Sequence, residues 1–485
     1  MSLLHVHQML RRASRGVALL VAIVVGAPAA AQIPAAEYAA RRATILDDAG
    51  DGIVLVLGAG EPPENYSSFW QTPHADWLTG IREPGMALVM VRRGAMRAQW
   101  LLVEPKNPDA EVWTGRRLGE RDAARRTGLA TRPASDLDRL VDSLLAAGSG
   151  PLRVVRHRSE GGELVWRDQR RLDAIVQRHP GLTLDDADAL ITRRRGRKSA
   201  AELALLRRSI DITVEAHREI ASRIAPGVYE YEVQALLEYT FRRRGADRPS
   251  FASIVGSGPN STILHYNTNE RQMLAGETVV VDIGSSFQGY AADVTRTYPV
   301  SGTFRPDARA VYDIVRRAQA AAEAAATPGA NAALMSRSAD SVLAAGLTAL
   351  GLIDAPGAMY DCGSADAPRR CRQLRLFYMH GLGHGIGLDV HDPDQYYDTG
   401  VLAEGSAFTI EPGLYVRADV LASLPDTPGN RAFVERRRAA VARYADIGVR
   451  IEDDYVVTAA GVEWVSRLPR EANEIEALMA ARRGR

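Results

Sequence analysis

The stretch TVVVDIGSSFQGYAADVTRTY, residues 278–298, places two aspartates inside apolar, β-patterned sequence. It reads as a hairpin with SSFQG at the tip, and a turn centred between Phe287 and Gln288 sets Asp282 directly opposite Asp293. Cβ atoms facing each other in that way lie about 4.5–5.5 Å apart. Two such carboxylates repel, and burying them uncompensated is costly. Arg296 lies three residues beyond Asp293, so strand alternation turns it to the opposite face. A divalent cation is the better counter-charge.

A second stretch, YMHGLGHGIGLDVHD (378–392), holds His380, His384 and His391. The spacing of His380 and His384 suits a zinc-binding pair on a helix. Glycines at 381, 383, 385 and 387 argue against a helix there. Nor does the run follow the dinucleotide-loop pattern. It offers open backbone that lets ligands approach closely, and taken singly each histidine reads more readily as a satisfied core residue than as a ligand. Glu411 ends the apolar run Ala407–Ile410 and precedes Pro412-Gly413. Glu452 sits in VRIEDD, where period two puts Arg450 on its face. Alone, it is either a functional carboxylate or half of a buried ion pair with that arginine.

As a set, Asp282, Asp293, Glu411 and Glu452 carry four negative charges, which two divalent cations neutralise, while His384 adds one nitrogen. An oxygen-rich set with one imidazole suits Mn²⁺ better than a structural zinc, although affinity order favours Zn²⁺ or Co²⁺. Two metals about 3.5–4 Å apart can hold a bridging hydroxide at neutral pH.

The elements around these residues alternate. Strands are expected at Ile53–Leu57, Met86–Val91 and Trp100–Val103, the last two as a hairpin. Helices at Gly119–Thr127 and Ala134–Ala147 follow, then a strand at Leu152–Val155. This is an α/β domain over 32–180. The basic run Arg193–Lys198 reads as part of a solvated link, 181–199. Ser199 and Glu202 then form a capping box. From 200 to 485 the pattern repeats: helices 200–223 and 229–244 precede strands near Phe251–Val255, Glu277–Gly284 and Tyr290–Tyr298. Helices 305–326 and 331–351 precede strands near Phe377–His380, Ser406–Ile410 and Val449–Val457. Two helices followed by strands, twice over, indicate an internal duplication. A final helix, Glu471–Ala481, is expected to pack on the surface. The fold class is α+β.

Composition narrows the function. The chain has 485 residues, 46% of them hydrophobic and 25% charged, as in soluble multidomain proteins. Lys+Arg total 60 against 59 Asp+Glu, so no overall field draws it to nucleic acid or anionic lipid. Arg11, Arg12 and Arg15 precede an apolar run from Val17 to Val25, and Ala29 and Ala31 fit a cleavage site before Gln32. Residues 1–31 thus read as a signal peptide. The run falls short of the roughly 20 apolar residues of a membrane span. A periplasmic or secreted protein, free of the membrane after cleavage, is expected. In that setting Cys362 and Cys371 are expected to form a bridge stabilising by about 2–3 kcal/mol.

At its five acid and imidazole positions the sequence resembles the pita-bread metallopeptidases, the family of methionine aminopeptidase, prolidase and aminopeptidase P. LHYN (264–267), HGLGH (380–384), TIEPGLY (409–415) and RIEDD (450–454) extend the match, and WLTGIREPG (77–85) resembles the N-terminal domain of its aminopeptidase P and prolidase branches. The resemblance implies a duplicated catalytic domain behind a smaller α/β domain. Asp293 and Glu452 would bridge two metals, Asp282 would hold one, and His384 with Glu411 the other. Glu411 would shuttle the proton, His265 and His391 would position the scissile carbonyl, and His380, Tyr415 and Arg450 would line the proline pocket or support it. The implied reaction removes an N-terminal residue from peptides with proline at position two, in a homodimer or tetramer. A prolidase restricted to dipeptides is the near alternative, and a metal-free binding protein or creatinase-like hydrolase the distant one. One departure is Gly385, where the aminopeptidase P pattern often has a bulky residue, which leaves the pocket width open.

Overall fold

Alternating β-branched and aliphatic residues build the N-terminal sheet, whose strands run Ala130–Pro133, Met96–Val103, Ala87–Arg93, Gly52–Leu57, Leu152–Val154 and Leu184–Asp186 across its width. The computed structural model describes residues 32–483 apart from 63–67, 159–163, 167, 365–366 and 394–399, so the expected signal peptide lies outside the described residues. Strands 87–93 and 96–103 form the expected hairpin, and 152–154 and 184–186 add in parallel. Ile53, Leu55, Val89, Leu102, Val141 and Ile175 fill the core beneath. A helix at Ala35–Ala49, which the sequence reading did not anticipate, covers this domain with Ile45 and Leu46 fully buried.

The stretch expected to be a solvated link is structured. It contributes the edge strand Leu184–Asp186 and the helix Asp188–Arg195. Arg195 and Lys198 are buried rather than solvated, because both serve Asp392 in the C-terminal repeats.

Ser199 caps the helix Ala200–Ile220, and Glu202 reaches back to its amide as the capping box requires. The same carboxylate accepts from Trp77 Nε1 at 3.1 Å and from the Tyr290 hydroxyl at 3.0 Å, and pairs with Arg41 at 2.9 Å. One buried side chain therefore ties the N-terminal domain to the 278–299 hairpin.

The duplication is visible in element order. Helices Ala200–Ile220 and Glu230–Arg243 precede the sheet 254–257, 278–283 and 294–299. Helices Pro306–Ala325 and Ala333–Ala349 precede the sheet 407–410, 453–458 and 461–464 and the pair 413–416 with 447–450. The two halves share one core, from Ile212 and Phe241 to Phe408 and Tyr455. They are stitched where Thr295 and Glu452 exchange backbone hydrogen bonds of 3.3 and 3.1 Å.

Several expectations are corrected. Residues 377–380 form bends after a short 3-10 turn, Gln373–Leu376, and not a strand. The stretch 449–457 is two strands, Ile447–Arg450 and Asp453–Thr458, interrupted at Ile451-Glu452. The last helix, Ala472–Arg483, sinks Ala472, Ile475 and Met479 into the main core instead of lying on the surface. A helix at Pro428–Tyr444, started by Thr427 and Pro428, had not been anticipated. Cys362 and Cys371 are bonded across the hairpin Met359–Asp361 and Arg370–Arg372.

Candidate active site

The first pair of acids arrives on the 278–299 hairpin, but its turn falls one residue later than expected. Gln288 and Gly289 both take positive φ, 47° and 80°. That is the two-residue turn whose twist matches the flanking strands, and glycine takes its second position without strain. Asp282 consequently pairs with Thr295, and Asp293 is its diagonal neighbour rather than its direct partner. Arg296 turns to the other face, as alternation requires, and pairs with Asp453 at 2.7 Å in full burial.

The second half supplies the rest. His384 leaves the glycine-rich loop, its amide held by Thr409 Oγ1 and its carbonyl by the Thr409 amide. Glu411 follows the strand Ala407–Ile410 and Glu452 stands at the seam between the halves. All five converge: Asp282, Asp293, His384, Glu411 and Glu452 line one cavity of about 650 Å³, together with His265, His380, His391 and Arg450. Phe251, Ile254, Leu264 and Val390 form its apolar walls. Tyr415 does not line it. Its hydroxyl lies behind, 2.8 Å from both His380 Nε2 and Arg450 Nη1.

Proton positions follow from donor chemistry. Arg450 can only donate, so the Tyr415 hydroxyl spends its own hydrogen on His380 Nε2. His380 therefore carries its proton on Nδ1 and donates to the Gly381 carbonyl at 2.7 Å. Burial, with Arg450 nearby, pushes His380 down to about 3, which keeps it neutral. His384 Nδ1 likewise faces the Gly385 carbonyl at 3.1 Å. Its Nε2 lone pair then points between Asp293 and Glu411, 3.5 Å from an oxygen of each. A ring nitrogen set between two carboxylates fits the geometry of a metal ligand.

The charges make the same point. Burial and mutual repulsion push the Asp293 and Glu452 carboxyls well above the usual range, and burial pushes Glu411 up to about 7 against the pull of Arg450. Among the described residues, Asp282 Oδ1 and Asp293 Oδ1 are buried with no hydrogen-bond partner. Ligand atoms of Asp293, His384 and Glu452 lie within 4.8 Å of one another. Acids held so closely with orphaned oxygens fit divalent cations in the cavity. Arg450 pairs with Asp282 at 2.6 Å rather than with Glu452, whose Oε2 accepts from Thr295 Oγ1 at 2.6 Å. The sequence reading passed over Thr295, although period two places it on the face of Asp293.

The model of metallopeptidase family M24 matches residues 204–459, and that of the aminopeptidase P N-terminal domain matches 38–152. The chain belongs to the M24 metallopeptidases. Members of this family use divalent metals, and the cavity is where this M24 chain offers ligands for them. It is 32% identical to the Xaa-Pro aminopeptidase of Escherichia coli K12, over 93% of this chain and 99% of the relative. It is 30% identical to the human Xaa-Pro dipeptidase, over 88% and 89%. The structure of proline aminopeptidase P II from Yersinia pestis superposes with a TM-score of 0.77 at 30% identity, over 93% of this chain and all of that one. A zinc-substituted E. coli aminopeptidase P in complex with product gives 0.77 at 30% identity, over 93% and 99%. The α+β class with a leading α/β domain stands with these likenesses.

Proposed function

We propose that this M24 metallopeptidase is an exported Xaa-Pro aminopeptidase that works with two divalent cations. The carrying observation is the single cavity in which four acids and one lone-pair nitrogen from both halves of the fold meet. Asp293 and Glu452 would bridge the two ions, Asp282 would complete one site, and His384 with Glu411 the other. Bound there, Mn²⁺ or a similar dication supplies Lewis acidity and an activated water at neutral pH.

The chain's own groups do the rest. Glu411, at the cavity wall beside His384, accepts the proton of the attacking water and delivers it to the leaving prolyl nitrogen. His265 and His391, at the cavity wall, orient the scissile carbonyl and donate to its developing oxyanion. His380 and Arg450, fixed by Tyr415, shape the wall that receives proline. A free amine seated beside the two ions would account for exopeptidase action, since a blocked or internal nitrogen would not fit there.

Export rests on the leader-like residues 1–31 and on the Cys362–Cys371 bridge, a bond suited to an oxidising compartment. Assembly into a homodimer or tetramer belongs to the same reading. The deciding assay compares Xaa-Pro-Xaa tripeptides with Xaa-Pro dipeptides after loading with Mn²⁺, Co²⁺ or Zn²⁺. Cleavage of tripeptides and longer chains supports the aminopeptidase; turnover confined to dipeptides makes it a prolidase, and no metal-dependent turnover of either ends the proposal.

A further inference from the structure

The loop that carries His384 and His391 has glycine at every second position from 381 to 387 and contains no helix. Such backbone has little conformational preference of its own, so something outside it must fix its path. Asp392 does this. Its Oδ2 accepts from the Leu388 amide at 3.0 Å, and its own amide donates to the Gly385 carbonyl at 2.6 Å. The span between the two histidines is thereby closed on itself, with their rings 4.0 Å apart. The closure is tight: a Cβ on Gly385 would lie 2.6 Å from the Asp392 carbonyl oxygen. Glycine at this point thus answers to the loop's own closure.

Asp392 is only 3% exposed, and a buried carboxylate needs charge beside it. The charge comes from outside the catalytic repeats. Arg195, at the end of the helix Asp188–Arg195, pairs with Asp392 Oδ2 at 2.8 Å. Lys198 donates to the Asp392 carbonyl at 2.5 Å. Arg195 also donates to His74 Nδ1 at 2.7 Å, which obliges His74 to carry its proton on Nε2, 2.8 Å from Asp188. A chain Asp188–His74–Arg195–Asp392, buried from His74 onward, thus runs from the N-terminal domain to the loop of the two histidines.

We infer that Arg195 is a positioning residue for the metallopeptidase reaction, setting the placement of His384 and His391 through Asp392. The inference rests on the function proposed above for those histidines. Arg195 touches no reacting atom. Its removal takes the ion pair from the buried Asp392 carboxylate, leaving it the Leu388 amide and the nearby Lys198, and the loosened loop then lets the rings of His384 and His391 shift from their places in the cavity.

The test uses the full mature chain and three variants: Arg195→Met, Arg195→Lys and the double Arg195→Met/Asp392→Asn. Mn²⁺ affinity is measured by competition with a chelator, separately from kcat and KM on an Xaa-Pro-Xaa peptide, and both are normalised to folded protein. Arg195→Met is expected to weaken Mn²⁺ binding and lower kcat by roughly 10–100-fold, the range for residues that orient a metal ligand. KM should change less. The double variant, which removes both charges, is expected to recover part of the loss, and Arg195→Lys to retain more than Arg195→Met. If Arg195→Met does not fold, Arg195→Lys and the double variant still decide. Wild-type Mn²⁺ affinity and kcat per folded molecule in the soluble variants, with only thermal stability reduced, would overturn the inference. Because Mn²⁺ binding is read apart from turnover, a chain that binds the ion but cleaves no Xaa-Pro peptide would sink the functional reading while leaving the positioning result legible.

Discussion

Arg450 and Asp282 form a 2.6 Å ion pair across the two halves of the catalytic domain, with side chains 4% and 10% exposed. Without a cation, this guanidinium is the direct counter-charge of Asp282. Replacing Arg450 by Met should destabilise the metal-free protein by about 3–5 kcal/mol, as for other broken buried pairs. Added Mn²⁺ should restore much of that loss while activity stays low. Thermal unfolding with chelator and with Mn²⁺ checks this; an equal loss in both conditions would show that the arginine only packs.

Glu411 stands 3.5 Å from His384 Nε2 and 3.6 Å from His380 Nδ1. A Glu411→Ala protein should lose at least about 10²–10⁴-fold in kcat, the span expected for a proton-transferring group. One of its two metals should also bind more weakly. Steady-state kinetics with elemental analysis of the purified variant test both parts. Substantial remaining peptidase activity would refute the assigned role.

His217, packed behind the strand that follows Asp293, tests acid sensitivity. Burial pushes its imidazole down to about 4, and its ring nitrogens serve the Tyr298 hydroxyl and the Val294 carbonyl. An imidazole with a depressed folded pKa binds fewer protons folded than unfolded, so stability falls as pH drops from about 6.5 toward 4. The loss from this one group should reach about 3 kcal/mol at the acid end. In His217→Gln the pH slope of unfolding free energy over that window should be shallower by one proton. Denaturant titrations at several pH values measure it.

The Cys362–Cys371 bridge closes a loop with a sequence separation of 9. Its hairpin is also anchored by Asp361 to Thr427 and by Asn430 to the Asp361 carbonyl. A double serine variant should therefore lose about 2–3 kcal/mol or less, by the loop-closure argument. Its kcat at moderate temperature should stay near the wild-type value. Thermal melts of oxidised protein, reduced protein and the variant separate bond from side chain.

The residue pattern was enough to find the acids, because each sits in or beside a short buried strand where a carboxylate stands out. The pairing of Asp282 was misjudged by a single turn residue: Gln288 accepts positive φ, and only the folded tip reveals it. Arg195 and Lys198 looked solvated because a basic run carries no local sign of a distant buried aspartate. The strand expected at 377–380 failed because its aromatic residues serve the core from bent backbone, where burial and not alternation sets the composition. Helix Pro428–Tyr444 escaped notice because its many arginines mask the few residues, Phe433, Val441 and Tyr444, that it buries.

Glu202 collects Trp77, Arg41 and Tyr290 at the threshold of the catalytic half. Cutting the polypeptide just before Ser199 would therefore not liberate a miniature enzyme. It would open to water the seam where Glu202 and Tyr290 now lie buried, and take away the indole and guanidinium that hold the hairpin of Asp282 and Asp293 from outside. Shortened versions made for crystallisation or biotechnology must keep the leading domain or redesign that glutamate.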